Sequence, residues 1–201
     1  MNRDAMFRLL PTSLAALALA ACSEGTPTPD ERPPLEGATI GGEFTLTGED
    51  GQPVRWSDFD GQYRTIYFGY AFCPDACPTD MQRAMAGLKR FETSEPERAA
   101  DIQPLFVSVD PERDTPDVLA EFTGAFHPRL IGMTGDLTTL EQVAKTFGVS
   151  FSKGKEQPGG GYLVNHPEYT FLYGPDGKPL ASLPTDQGAE AVAAELDKWV
   201  R

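Results

Sequence analysis

The segment Thr65-Ile66-Tyr67-Phe68-Gly69-Tyr70-Ala71-Phe72-Cys73-Pro74-Asp75-Ala76-Cys77-Pro78-Thr79 decides how the rest of the chain is read. Thr65 to Tyr70 is β-branched and aromatic, the composition of a buried strand. From Thr79 onward Met81, Met85 and Leu88 recur at helical spacing, and Phe91 extends the same stripe. Two cysteines therefore stand where a strand hands over to a helix.

Working outward, Phe44 to Thr47 alternates apolar and polar residues, and Glu49-Asp50-Gly51 precedes Val54, Arg55 and Trp56, the pattern of a hairpin. Leu105 to Val109 reads as a second buried strand. Thr115-Pro116 then fits the N-cap and first position of a helix carrying Val118, Leu119, Phe122 and Phe126. Arg129 to Met133 reads as a third strand, and Asp136 opens a helix with Leu137, Leu140, Val143, Ala144 and Phe147, which Gly148 stops. After Gly159-Gly160-Gly161 come Tyr162-Leu163-Val164, then Tyr169 to Tyr173, a Gly174-Pro175-Asp176-Gly177 turn, and Leu180 to Leu183. A helix from about Gly188 to Trp199, with Val192, Leu196 and Trp199 on one face, closes the chain. This order specifies an α/β fold: a central mixed sheet flanked by helices, with an N-terminal β-hairpin, in the thioredoxin-like arrangement.

Cys73 and Cys77 are spaced C-x3-C, whereas redox enzymes of this fold normally use C-x2-C. Residues four apart on a helical turn have Cβ atoms roughly 5 to 6 Å apart, beyond the roughly 3.5 to 4.5 Å of an unstrained disulfide. Both sulfurs can still reach one metal ion. Pro74 and Pro78 disfavour helical geometry in the residues before them, so an irregular turn is expected and a disulfide stays open. A helix N-terminus nearby should stabilise thiolates, which serve both as nucleophiles and as metal ligands. As a structural staple the pair would achieve little, because so short a loop restrains the unfolded chain weakly.

The chain has two histidines, His127 and His166. A lone histidine is more often a surface or satisfied core residue than a ligand. His166 gains over His127 by following a strand beside a glycine-rich loop that can fold toward the cysteine end of the sheet. His127, in Phe126-His127-Pro128, is expected to be exposed. Two thiolates and one neutral imidazole would make a soft three-ligand site, suited to Cu(I) and tolerant of Cu(II); zinc usually recruits a fourth ligand.

The first residues carry Arg3, Arg8 and an apolar run that ends in Leu19-Ala20-Ala21-Cys22. This reads as a secretory leader. It is too short to span a bilayer. The expected organisation is a lipoprotein signal peptide over residues 1–21, a lipid-anchored flexible tether rich in Pro, Thr, Glu and Gly over 22–38, and one globular domain over 39–201. A cysteine after Leu-Ala-Ala resembles the lipobox of bacterial lipoproteins, which makes Cys22 the lipidation site. The protein is then an exported, membrane-anchored lipoprotein facing the periplasm or another extracytoplasmic side. A net charge of −13 makes nucleic acid an improbable partner, while it favours metal cations and basic partners.

Three segments carry a resemblance to the Sco (SenC-type) family: Phe72-Cys73-Pro74-Asp75-Ala76-Cys77-Pro78, Val107 to Pro116 within Val-Ser-Val-Asp-Pro-Glu-Arg-Asp-Thr-Pro, and Tyr162-Leu163-Val164-Asn165-His166. The resemblance implies that Cys73, Cys77 and His166 bind copper and that the Asp110 to Pro116 loop lies near the metal, with Asp110 and Asp114 as supporting residues. Helix capping and turn formation are equally good readings of these two aspartates. The family commonly has aspartate and serine around the histidine, where this chain has Asn165 and Pro167. That difference bears on tuning of the histidine.

The family further implies a copper chaperone for the dinuclear copper site of cytochrome c oxidase. Its partners would be the copper-site subunit of the oxidase and periplasmic copper carriers or thiol reductants. A classical enzyme is not expected, although Cys73 and Cys77 could reduce the recipient's cysteines by thiol–disulfide exchange. A disulfide reductase or redox sensor that needs no copper is the rival reading. Peroxiredoxin-type chemistry is disfavoured: those enzymes place Thr three residues before the cysteine and Pro four before the Thr, where this chain has Tyr70 and Ile66.

Overall fold

The computed structural model describes residues 31–157 and 160–201; the leader and Cys22 lie outside the described residues. The N-terminal hairpin pairs β1 (Thr45–Gly48) with β2 (Pro53–Arg55), and a 3-10 turn at Trp56–Phe59 leads into β3 (Tyr63–Gly69). Every residue of β3 is buried, as its aromatic and β-branched composition requires. There follow α1 (Ala76–Ser94), the short α2 (Pro96–Ala100), β4 (Ile102–Ser108), α3 (Pro116–Gly124), β5 (Ile131–Thr134) and α4 (Leu137–Thr146). The remaining elements are β6 (Ser152–Glu156), β7 (Tyr162–Asn165), β8 (Thr170–Tyr173), β9 (Pro179–Leu183) and α5 (Ala189–Trp199).

The main sheet has the order β2-β1-β5-β4-β3-β8-β9, with β3, β4 and β5 parallel and the flanking pairs antiparallel. It is the mixed sheet expected from the element order. Thr115 caps α3 through its hydroxyl, which accepts from the Val118 N–H, and Asp136 caps α4 by accepting from Thr139. Gly148 ends that helical segment with φ +71°, a conformation open to glycine without strain.

Two structural differences from the sequence reading matter for the site. Tyr162 to Asn165 pairs with Ser152 to Glu156 in a separate two-stranded ribbon, and Thr170–Tyr173 joins the main sheet instead. His127 is buried, not exposed: its Nδ1 accepts the Arg129 N–H at 3.1 Å and its Nε2 faces Glu92 at 3.3 Å. The turn after α3 folds it inward toward Glu92 of α1. Contacts also reach into the stretch expected as tether, since the Leu35 N–H donates to the Leu180 carbonyl at 3.0 Å and Leu35 packs against the core.

Candidate metal centre

The carboxyl ends of β3 and β4 open onto one edge of the sheet, the usual place for a site in an open α/β fold. β3 ends at Gly69, and Tyr70 to Asp75 form the turn into α1. Cys73 lies in that turn and is half-buried; Cys77 is in the first helical turn and fully buried. Pro78 is tolerated there because first-turn positions lack an intrahelical N–H partner. Both thiols are free. The Cys77 N–H, one of the donors that a helix start leaves unpaired, points at Cys73 Sγ at 3.4 Å.

His166 arrives from the far end of β7. Its Nδ1–H donates to the Pro167 carbonyl at 3.0 Å, which leaves Nε2 as the bare nitrogen, 3.2 Å from Cys77 Sγ. The ring stands edge-on to Tyr67 and Tyr70, with centroids 6.0 and 5.8 Å away. The two sulfurs and a ring nitrogen lie within 4.8 Å of one another, and among the described residues this is the cluster of three or more His, Cys, Asp or Glu able to share an ion. The donor set fits the soft three-ligand site read from the sequence.

Burial raises the Cys77 thiol well above the usual range. The expected thiolate stabilisation is therefore not met at Cys77, where desolvation outweighs the helix terminus. The thiol has Nε2 within hydrogen-bond reach at 3.2 Å, and a metal ion bound here would have to displace the thiol proton.

Asp110 and Asp114 both border the site, and neither touches a ligand atom through its carboxylate. Asp114 is buried; its oxygens accept the Ala71 N–H at 3.2 and 3.1 Å and the Ser108 hydroxyl at 2.6 Å, pinning the cysteine turn to the end of β4. Burial pushes its carboxyl up to about 6. Asp110 accepts the Tyr162 hydroxyl at 2.7 Å and pairs with Arg113. The Asn165 side chain turns toward Ser152, away from the imidazole, while Pro167 supplies the carbonyl that fixes its tautomer.

Sequence reasoning missed Tyr67, Asp80, Arg113 and Tyr162. The Tyr67 hydroxyl donates to buried Asp80 at 3.1 Å, beside Cys77. Asp80 falls on the inner face of α1, three residues after Cys77, and that helical spacing was the signal available for it.

Fold and site together define a thioredoxin-like domain in which two thiols and an imidazole converge at one edge of the sheet. The chain belongs to the SCO1/SenC family, whose model matches residues 32–201. It is 34% identical over 166 residues to the mitochondrial protein SCO2 of Saccharomyces cerevisiae, covering 80% of this chain and 54% of that protein, so the chain spans about half that relative's length. Among solved structures it resembles Arabidopsis thaliana ScoI with copper bound, with a TM-score of 0.73 and 31% identity over 79% of this chain and 96% of that one. The thioredoxin domain of a thiol-disulfide oxidoreductase from Bacteroides vulgatus matches with a TM-score of 0.55 and 16% identity, covering 81% of this chain and 96% of that one, which shows the shared fold.

Proposed function

We propose that this protein holds copper between Cys73, Cys77 and His166 and delivers it to the copper-site subunit of cytochrome c oxidase during assembly. The observation that carries the reading is the convergence of three soft donor atoms within 4.8 Å. Half-exposed Cys73 and His166 leave the site open to an incoming ligand, as transfer by stepwise ligand replacement requires. Phe72, Leu163 and Tyr169, exposed apolar side chains close in sequence to the ligands, suit a docking partner at the same edge. Periplasmic copper carriers or thiol reductants would load or reset the site.

The adjacent free thiols favour a second use of the same residues: Cys73 and Cys77 reduce a disulfide between the recipient's cysteines to two thiols and are themselves oxidised to a Cys73–Cys77 disulfide. Cys22, outside the described residues, would tether the domain by lipidation on an extracytoplasmic face, with residues 1–21 as leader. Among the described residues no helix is long and apolar enough to cross a membrane.

The test combines metal content and spectroscopy of the anaerobically purified protein with oxidase assembly in a His166→Ala strain. Tight copper binding that this variant loses together with assembly supports delivery. Normal assembly without tight copper supports the dithiol reading and sinks the chaperone.

A further inference from the structure

His166 is carried by a ribbon that shares no strand with the main sheet, so something other than sheet hydrogen bonding must hold it over the cysteines. The ribbon's inner face supplies Val164 to the core, with Phe151 and Tyr162 partly buried against it. Polar attachments add to this: Lys153 pairs with Glu112, the Tyr70 side chain reaches the Val164 backbone, and Tyr162 makes several contacts of its own. Its ring lies 3.8 Å from the Arg113 guanidinium carbon and 4.0 Å from Lys153 Nζ, and its hydroxyl donates to Asp110 at 2.7 Å, with Glu112 3.2 Å away.

Tyr70 meets the ribbon from the cysteine turn, edge-on to His166, and Arg113 is a second side chain that touches both halves of the site. Beyond Tyr162 on the histidine ribbon, its guanidinium lies 5.5 Å from the Tyr70 ring and 5.3 Å from the Phe72 ring, on either side of the turn leading to Cys73. Its Nε is paired with Asp110, three residues earlier, which aims the planar group. One of its terminal nitrogens is buried without a hydrogen-bond partner. An arginine serving only as a local ion pair would turn that nitrogen to water; here the guanidinium is held beside three aromatic rings, which adds cation–π attraction to the ion pair.

We propose that Arg113 is a positioning residue that clamps the histidine ribbon onto the cysteine turn through Tyr162, so that retention of copper depends on a stacking contact made by neither sulfur nor imidazole. The inference rests on the three-ligand reading above. Loss of the clamp frees β7 to lift, withdrawing Nε2 while both thiols stay in place. Metal hold would weaken with no change in the dithiol.

The experiment is a double-mutant cycle read by competition of the full chain with a chromophoric Cu(I) chelator, together with thiol exchange toward a small aromatic disulfide. Arg113→Met should weaken copper binding roughly two- to thirtyfold, the range that cation–π contacts span from exposed to desolvated settings. Arg113→Lys should restore part of the loss. In a His166→Ala background Arg113→Met should have no further effect, because the clamp acts through the imidazole. Thiol exchange should match that of the parent in each pair. In the Cu(II) form, nitrogen hyperfine coupling should fade in Arg113→Met.

Tyr162→Leu approaches the contact from the ribbon side and should give the same non-additive pattern however well Arg113→Met folds. Equal losses with and without His166, or an unchanged affinity in both variants, would overturn the clamp. If His166→Ala itself binds copper like the parent, the ligand reading fails instead, so the two failures are told apart.

Discussion

Cys77 Sγ and His166 Nε2 stand 3.2 Å apart although 89 residues separate them in the chain. The thiol is buried and its proton is held tightly, while the nitrogen facing it is the bare one, because Nδ1–H is committed to the Pro167 carbonyl. The pair is set to exchange the thiol proton for a shared ion.

The first prediction follows from the unequal setting of the two thiols. Cys73 is half-exposed and Cys77 is fully buried with its thiol pushed up, so iodoacetamide at neutral pH should modify Cys73 at least tenfold faster, since the thiolate is the reactive form. Peptide mapping by mass spectrometry after timed quenching reads the order. Copper loading should slow both. Equal labelling would contradict the burial that distinguishes them.

Gly69 is a second control point. A Cβ there would lie 2.7 Å from Tyr67 Cε1, 3.0 Å from Cys77 Sγ and 3.2 Å from Phe106 Cε2. Gly69→Ala therefore pushes the sulfur or the aromatic rings aside, an overpacking that costs about 1–3 kcal/mol. Copper affinity should fall about tenfold, along with the urea midpoint. Wild-type affinity in the variant would mean that the sulfur does not need this space.

At Gly87 two effects compete. Alanine gains about 1 kcal/mol of helix propensity over glycine, but its Cβ would lie 2.5 Å from Val192 Cβ and 2.9 Å from the Ala189 carbonyl, across the contact between α1 and α5. Those are backbone-proximal atoms that cannot swing away, so steric conflict wins. Gly87→Ala should lower stability by about 1–2 kcal/mol in urea unfolding, leaving copper affinity intact because the contact lies about 15 Å along α1 from Cys77. A stabilised variant would show that the helices can part freely.

The order of main-sheet elements was legible because each left a local signal: the buried runs of β3 and β4, the Thr115-Pro116 and Asp136 caps, and the stripe of Met81, Met85, Leu88 and Phe91. The ribbon was not, because Ser152-Lys153-Gly154-Lys155-Glu156 is polar and largely exposed and becomes a strand only by pairing with β7. The five residues of α2 carry too little periodicity to register. At the site, the cysteine spacing announced itself, whereas His166 depended on the resemblance, since one histidine has no pattern. The Asp114 bond to Ala71 spans 43 residues and the Tyr162 bond to Asp110 spans 52, distances over which spacing says nothing.

The last prediction concerns Asp114, whose carboxyl is pushed up to about 6 by burial, against the pull of the Ser108 hydroxyl and the Ala71 N–H. In the unfolded chain an aspartate titrates near 3.9. Between those values the folded protein holds a proton that the unfolded chain has released, so falling pH through this window stabilises the fold. Above about 6 the buried carboxylate destabilises it in full. Asp114→Asn cannot titrate, yet it keeps a carbonyl oxygen for the Ala71 N–H. Whatever its offset from the parent at pH 7, the variant's relative stability should decline by about 2 kcal/mol as pH is lowered from 7 to 4. Urea unfolding at pH 4, 5, 6 and 7 measures the difference between the two proteins, in which the titration of all other groups cancels. Parallel curves across this range would mean that Asp114 ionises as freely in the fold as in the unfolded chain.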